Sequence, residues 1–251
     1  ADGRRYIADA LSRGAVAVLW QAGGDFAWHP ASTATAIEVP GLRSLAGPLA
    51  HAVLDEPSRE LSLIAITGTN GKTTVSQFIA RAHPDSCAVV GTLGAGFPGH
   101  LIETGFTTPG ATTLMRLLAG FVAAGAEACA LEASSIGIEE GRLNGAQIDV
   151  AVFTNFTRDH LDYHLTMENY YDAKKKLFDG RLGEKPGSSV INIDDEWGAK
   201  LADELRAAGD RVVTFSQRGT ADLSASNIEV SLIRGTSFDV STPIGDVHIT
   251  S

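Results

Sequence analysis

Apolar and polar positions along this chain follow two periods, and the switches between them mark out its elements. From Arg4 to Ser12 the apolar residues Tyr6, Ile7, Ala10 and Leu11 recur at helical spacing; Gly14 stands where a helix cap is wanted, and Ala15–Trp20 is a short apolar run. A second short run, Ala36–Val39, turns at Pro40-Gly41. Leu42, Leu45, Leu49 and Val53 then give Leu42–Leu54 a helical stripe that stops before Asp55-Glu-Pro57-Ser. These segments predict a small α/β piece, with a linker near 55–60.

From Leu61 onward the pattern becomes regular. Strands are predicted at 61–67, 87–92, 127–132, 148–154, 188–193 and 211–215, and helices at 72–82, 111–124, 167–179 and 195–208. Continuous apolar runs alternating with amphipathic helices predict a mostly parallel sheet covered on both faces. The tail differs. Asn227–Ile233, Ser237–Val240 and Val247–Thr250 are short alternating strands split by Arg234-Gly-Thr and Pro243-Ile-Gly-Asp, the pattern of an antiparallel meander. The expected fold is α/β: a partial α/β N-terminal domain over 1–58, then a central domain over 59–251 with a phosphate-loop sheet and a small meander. No internal repeat or low-complexity segment interrupts it.

Composition narrows the function. With 251 residues, 44% apolar and 20% charged, the chain exceeds the usual size of one domain and can bury a substantial core. A net charge of −10 argues against a nucleic-acid binder, whose affinity rests on basic residues, whereas a single anionic nucleotide needs no basic protein. Cys87 and Cys129 fall inside apolar strands and read as reduced, buried residues rather than a disulfide or zinc framework. No signal sequence opens the chain and no apolar run approaches the roughly 18 residues of a membrane span, so a cytoplasmic protein with no membrane insertion is expected.

The sharpest candidate chemistry is Leu61-Ser-Leu-Ile-Ala-Ile-Thr-Gly-Thr-Asn-Gly-Lys-Thr-Thr74. An apolar strand delivers the chain to a turn in which Gly68 and Gly71 let the backbone curl with its N–H groups inward, and a helix follows with its positive end forward. Lys72 would reach the β- and γ-phosphates, and the Thr73 hydroxyl would hold Mg²⁺. The general phosphate-loop pattern wants glycine where Ile66 stands.

In parallel sheets ligands bind at the carboxyl ends of the strands, so polar residues there weigh most. Four strand ends carry them: the phosphate loop, Glu132-Ala-Ser-Ser135, Asn155 through His164, and Asn192-Ile-Asp194-Asp195. Glu132 closes an apolar run, either as a charge escaping to solvent or as a ligand of phosphate-bound Mg²⁺. His160 and His164, four apart, fit a zinc site completed by Asp159 or Asp162; alternatively His160 joins Glu132 at a second Mg²⁺, or both histidines simply lie on the surface. Tyr170, Ala173, Leu177 and Phe178 offer a core face to the helix at 167–179, which leaves Lys174–Lys176 on a solvated face unless one lysine turns to the nucleotide. Thr107-Thr108-Pro109 and Arg142 are anion-contact candidates in loops.

Taken jointly, Thr67-Gly-Thr-Asn-Gly-Lys-Thr-Thr74, Thr107-Thr-Pro109, Glu132-Ala-Ser-Ser135, Gly141-Arg142, Thr157-Arg-Asp-His-Leu-Asp-Tyr-His164, Met167-Glu and Ala173-Lys174 resemble the Mur ligases, in particular the branch that adds the third residue of the peptidoglycan stem peptide. Mur ligases use T-G-T-x-G-K-[TS], which accounts for Ile66. The resemblance implies an ADP-forming, ATP-dependent ligase of cell-wall synthesis, acting on UDP-N-acetylmuramoyl-L-alanyl-D-glutamate and an amino acid, meso-diaminopimelate or L-lysine, as a monomer. ATP phosphorylates the D-glutamyl carboxylate, and the incoming amine attacks the acyl phosphate.

Carried over by the same resemblance, Gly68, Thr69, Asn70, Gly71, Lys72, Thr73 and Thr74 hold the ATP phosphates. Thr73 serves a first Mg²⁺ and Glu132 and His160 a second, while Lys174 carries a carbamate that makes it a further anionic metal ligand. Lys72, Glu132, His160 and Lys174 are thus the catalytic set, and Thr107, Thr108, Ser134 and Arg142 contact the UDP-muramoyl-dipeptide. Ile136, Glu140 and Phe106 depart from the residues usual in the family, His, Gln and Asn respectively. A full member also carries strands ahead of Ala1 and a C-terminal domain past Ser251, so this stretch alone is expected to be inactive. Folylpolyglutamate synthase, which shares the loop, a non-catalytic nucleotide module and a zinc hydrolase on His160 and His164 are the alternatives.

Overall fold

The computed structural model describes residues 3–23, 35–231 and 235–250. Positions 232–234, where the first meander strand was expected to end and its turn to begin, lie outside the described residues. The chain forms two compact units, Ala1–Ala46 and Gly47–Ser251.

In the first unit a 3₁₀ turn, Gly3–Tyr6, leads into helix α1 (Ile7–Ser12), so the predicted helix is present with a tighter start. Strands β1 (Ala17–Trp20) and β2 (Thr35–Glu38) pair in parallel, from Ala17 opposite Thr35 to Trp20 opposite Glu38. Helix α2 (Leu42–Val53) contains the division between the two units.

The second unit opens with a pinned linker. Pro57–Arg59 forms a 3₁₀ turn in which Ser58 is buried; its hydroxyl meets His51 Nε2 at 2.7 Å and accepts from Gln147 N at 2.8 Å. Burial holds the His51 imidazole below its ordinary value, against Glu56, which raises it.

The main sheet runs through β3 (Ser62–Thr67), β4 (Cys87–Gly91), β5 (Gly94–Phe97), β6 (His100–Ile102), β7 (Ala128–Glu132), β8 (Val150–Phe153), β9 (Ser188–Asn192), β10 (Val212–Ser216), β11 (Leu223–Ser231), β12 (Gly235–Thr242) and β13 (Gly245–Thr250). Their order is β13-β12-β11-β10-β9-β8-β3-β7-β4-β5-β6, parallel from β4 to β11 and antiparallel at both ends. From β3 the chain builds β4 and β7 on one side and then β8 to β10 on the other, so β3 lies at the topological switch point.

Both faces of this centre carry apolar packing. One carries the larger core, in which helices α4 (Ala111–Ala123), α7 (Met167–Lys175) and α8 (Glu196–Ala207) bring Leu114, Leu118, Tyr170 and Leu201 against Leu63, Leu131 and Phe153. The other lies under helix α3 (Lys72–Ala82), where Ala80 meets Ile66, Val89, Ala130 and Val152. Two-sided burial is why β4 and β7 read as unbroken apolar runs. Cys87 and Cys129 are buried and free in those strands.

Three features go beyond the pattern. The β5–β6 hairpin was not predicted, because it is short and rich in glycine: a Cβ at Gly96 would lie 2.3 Å from His100 O. Helix α5 (Ser135–Glu139) is a single capped turn too brief to show a period. Helix α7 ends at Lys175 rather than 179, although Leu177 and Phe178 remain buried beyond it. Among the described residues no helix is long and apolar enough to cross a membrane.

Candidate active site

The loop after β3 is clamped to the end of β8. Gly68 has φ +145°, and a Cβ there would lie 1.9 Å from Thr154 Oγ1, so only glycine fits the approach. Thr69 N donates to Asn155 O at 2.9 Å and Asn70 N to Asn155 Oδ1 at 2.9 Å, while Thr154 Oγ1 donates to Asn70 O at 2.6 Å. Neither Thr154 nor Asn155 was singled out for this from the sequence, because the partnership is made across a strand pair. Gly71, φ +86°, precedes α3, whose first turn has no side-chain cap and so presents its N–H groups outward. Lys72 curls back, its Nζ donating to Gly68 O and Thr69 O at 3.0 Å each. Burial lowers the Lys72 pKa, opposed first by Glu132 and then by Asp159.

Glu132 does not escape to solvent. It ends β7 with 1% exposure, beside Gly91, where a Cβ would sit 2.1 Å from its Oε1. Oε1 accepts from Thr92 N at 3.0 Å; Oε2 accepts from Thr73 Oγ1 at 3.0 Å and Thr92 Oγ1 at 3.1 Å. Thr92 also meets Thr107 Oγ1 at 3.0 Å. Thr92 is the residue the sequence reading missed, since a lone threonine after an apolar strand carries no signal.

The segment after β8 forms a short helix, α6 (Leu161–His164), capped by His160 in the left-handed conformation, φ +49°. The His160 ring is partly exposed, and Asp159 Oδ1 accepts from its backbone N at 2.8 Å. His164 is buried instead, with Nε2 2.9 Å from Ser135 Oγ, and burial lowers its pKa. The two rings are therefore not a matched pair of ligands on one exposed helix face. Among the described residues no three His, Cys, Asp or Glu side chains cluster as a metal cage.

Of Lys174, Lys175 and Lys176, at the end of α7, Lys174 is the one turned inward. It is 1% exposed, and its Nζ donates to Gly68 O at 2.9 Å and lies 4.5 Å from the Tyr170 ring centre. Burial first, and the neighbouring Lys72 charge second, push it well below the usual lysine range, with Asp159 opposing. Lys175 and Lys176 pair with Glu204 and Glu139 at the surface. Tyr170, read from the sequence as a core residue, is completely buried, and its hydroxyl lies 3.3 Å from Thr69 Oγ1.

The four expected substrate residues separate into two kinds. Thr107 and Ser134 line the site cavity. Thr108 is fully buried: its hydroxyl donates to Glu132 O at 2.8 Å and accepts from Ser134 N at 3.0 Å. Ser134 caps α5 by accepting from Gly137 N at 3.1 Å. Arg142 donates to Thr108 O at 2.7 Å and to Glu140 Oε2 at 2.6 and 2.9 Å, with its guanidinium 5.0 Å from the Phe106 ring centre. Glu140 is thus turned onto Arg142 rather than left as an isolated repulsive charge.

Thr69, Asn70, Gly71, Lys72, Thr73, Thr74, Thr92, Thr107, Glu132, Ser134 and His160 surround one cavity of about 250 Å³. Gly68 and Lys174, joined by their hydrogen bond, stand behind the cavity wall, and Thr108 and Arg142 also lie off it. Hydroxyl, carboxylate and imidazole donors beside an uncapped helix N-terminus suit a phosphate chain with Mg²⁺, a hard cation that takes few protein ligands and fills its shell with phosphate and water oxygens.

A glycine-flanked lysine loop at the switch point of a parallel sheet, facing a buried strand-end carboxylate, defines a nucleotide-type site. The model of the Mur ligase middle domain matches residues 66–251, and the chain belongs to the Mur ligase family. It is 43% identical over 252 residues to the UDP-N-acetylmuramoyl-L-alanyl-D-glutamate–2,6-diaminopimelate ligase of Chromobacterium violaceum, covering 99% of this chain and 50% of that protein. The ligase of the same name from Pseudomonas aeruginosa is 48% identical over 220 residues, covering 86% of this chain and 44% of that protein. A solved structure of a ligase of this name superposes with a TM-score of 0.80 at 32% identity, over 99% of this chain and 50% of that one. The chain spans about half the length of the curated relatives it matches.

Proposed function

We propose that this chain carries the phosphate-handling site of an ADP-forming amide ligase that joins meso-diaminopimelate to UDP-N-acetylmuramoyl-L-alanyl-D-glutamate in peptidoglycan synthesis. The observation that carries it is the single cavity wall shared by Gly71–Thr74, Glu132 and His160. The names of the relatives supply the substrate pair and favour diaminopimelate over L-lysine. Residues 1–58 are assigned to the UDP-substrate domain and 59–251 to the ATP domain of a monomeric protein, although the compact units divide earlier, between Ala46 and Gly47. ATP and UDP-linked precursors are cytoplasmic pools, and the protein works there.

In this proposal Gly68, Thr69, Asn70, Gly71, Lys72, Thr73 and Thr74 cradle the ATP phosphates, with Lys72 leaving the loop carbonyls for phosphate oxygens. Thr73, Glu132 and His160, on the cavity wall, would hold Mg²⁺, which would neutralise phosphate charge; Lys174, bonded to Gly68 O behind that wall, would join them as a carbamate once released from that carbonyl. The γ-phosphoryl group passes to the D-glutamyl carboxylate, and the amine of the amino acid displaces phosphate from the acyl phosphate. Thr107, Ser134 and Arg142 orient the muramoyl peptide, while Thr108 acts behind them by fixing Ser134 and Arg142.

Lys174 enters as a carbamate. An amine depressed by burial and by Lys72 is neutral more of the time, and the neutral amine adds to carbon dioxide, releasing a proton and leaving an anion. Full-length protein equilibrated with ¹³C-bicarbonate is expected to show one carbamate resonance that Lys174→Ala removes. For the reaction as a whole, phosphate release by full-length protein is expected to require the UDP-muramoyl-dipeptide and diaminopimelate together, with L-lysine a poor acceptor. Equal release without any amino acid would overturn the proposal.

A further inference from the structure

We propose that Thr92 is a positioning residue for Glu132, gripping the carboxylate with main chain and side chain together and tying it to Thr107. The inference rests on the assignment of Glu132 as a cation ligand. Glu132 is 1% exposed, and its hydrogen-bond donors are neutral: Thr92 N on Oε1, and Thr73 Oγ1 and Thr92 Oγ1 on Oε2. A carboxylate offers about four acceptor directions, and these three bonds leave the open one on Oε1. Thr92 supplies two of the three, so it fixes both the tilt and the twist of the group.

Gly91 completes the grip. A Cβ there would sit 2.1 Å from Oε1 and 2.6 Å from Cδ, so the carboxylate packs against bare backbone while the next residue holds it. A hydroxyl has one proton to give. When Thr92 donates to Glu132, the 3.0 Å contact with Thr107 has Thr107 donating, which makes a directed relay from Thr107 through Thr92 to Glu132. Both threonines line the site cavity, so whatever engages Thr107 acts on the orientation of Glu132 through one intervening oxygen.

The test uses full-length protein and Mn²⁺ as the probe, with binding followed by electron paramagnetic resonance in the presence of ADP. Thr92 is an exposed residue, so losing its hydroxyl opens no hole in the core. Thr92→Val is expected to weaken Mn²⁺ binding by about 10- to 100-fold, the usual effect of removing a group that orients a metal ligand, and Thr92→Ser is expected to restore it. Thr107→Val is expected to give a smaller loss in the same direction. If Thr92→Val binds Mn²⁺ like wild type while Glu132→Gln does not, Glu132 remains a ligand and the role of Thr92 is refuted. If neither variant changes Mn²⁺ binding, the assignment of Glu132 fails, and the role of Thr92 with it. Thermal melts run on each variant separate these outcomes from unfolding, and Thr92→Ala, which also removes the hydroxyl, decides in the same way should Thr92→Val prove unstable.

Discussion

Two regions reach the same carbonyl from different elements. Lys72, at the start of α3, and Lys174, on α7, both donate to Gly68 O, at 3.0 and 2.9 Å. Lys72 lies on the cavity wall and can swing away on its flexible stem; Lys174 is sealed behind that wall, flanked by Tyr170. Burial depresses both, but the neighbouring charge acts in opposite directions: Glu132 raises Lys72, whereas Lys72 itself further lowers Lys174. Like charges this close disfavour each other's charged form, and the more buried Lys174 is shifted further. The proposed roles, Lys72 on phosphate and Lys174 as the carbamate, rest on this difference in setting.

The hardest test of that division comes from replacing each in turn. In full-length protein Lys174→Ala is expected to lower ligation by about 10²- to 10³-fold while ADP binding stays near wild type, whereas Lys72→Ala is expected to weaken ADP binding as well. Phosphate-release kinetics and ADP calorimetry read the two effects. Equal loss of ADP binding in both variants would erase the distinction between the lysines.

The platform beneath them can be strained next. Gly68→Ala meets Thr154 Oγ1 and an unfavourable φ together, and is expected to destabilise by about 1–3 kcal/mol. Gly71→Ala has φ +86° but no atom within 4 Å of the added Cβ, so about 1 kcal/mol from backbone strain alone is expected. Urea midpoints compare them; a costlier Gly71→Ala would mean that the clamp to Thr154 is not what fixes the loop.

Acid probes the frame around the lysines. His51 and His164 both sit below their ordinary value of 6.5 because they are buried. Unfolded chains then take up protons that the folded chain refuses, so stability present above pH 6.5 is lost as pH falls below it, toward the depressed folded values. His164→Gln is expected to flatten that part of the stability profile, and an unchanged slope would show that Ser135 keeps its bond to a charged ring.

The smallest effect concerns Arg142. Its pair with Glu140 is about a fifth to a quarter exposed, at 19% and 28% for the two side chains, and is worth about 1 kcal/mol or less. Glu140→Gln is expected to leave the melting temperature nearly unchanged and to lower KM for the UDP-muramoyl-dipeptide a few-fold, by removing a carboxylate that competes for the guanidinium. A raised KM would instead assign Glu140 to holding Arg142 in place.

How much of this was legible in advance varies by element. The parallel centre was read nearly strand for strand, because two-sided burial writes unbroken apolar runs into β3, β4 and β7. The meander announced itself by alternation, although its first strand joins the main sheet beside β10. Short elements escaped: β5, β6 and α5 are held by glycine geometry and a serine cap, not by any period. Glu132 and Lys72 were visible as polar residues ending an apolar strand and opening a helix. Lys174 stood in a run of three lysines that spacing alone assigns to solvent, and only the family resemblance singled it out.

The sequence by itself determined the alternation of elements, the glycine-flanked lysine loop and the family, because each is a local pattern that backbone sterics and burial force into consecutive residues. Only the tertiary structure decided which lysine of α7 is buried, which histidine faces the cavity and which threonine holds Glu132. Those choices are made between β3, β4, β7, β8 and α7, segments up to about a hundred residues apart, as in the Lys174 bond to Gly68 across 106 positions. A side chain's partners across that distance are fixed by sheet order and helix rotation, and no local period records them.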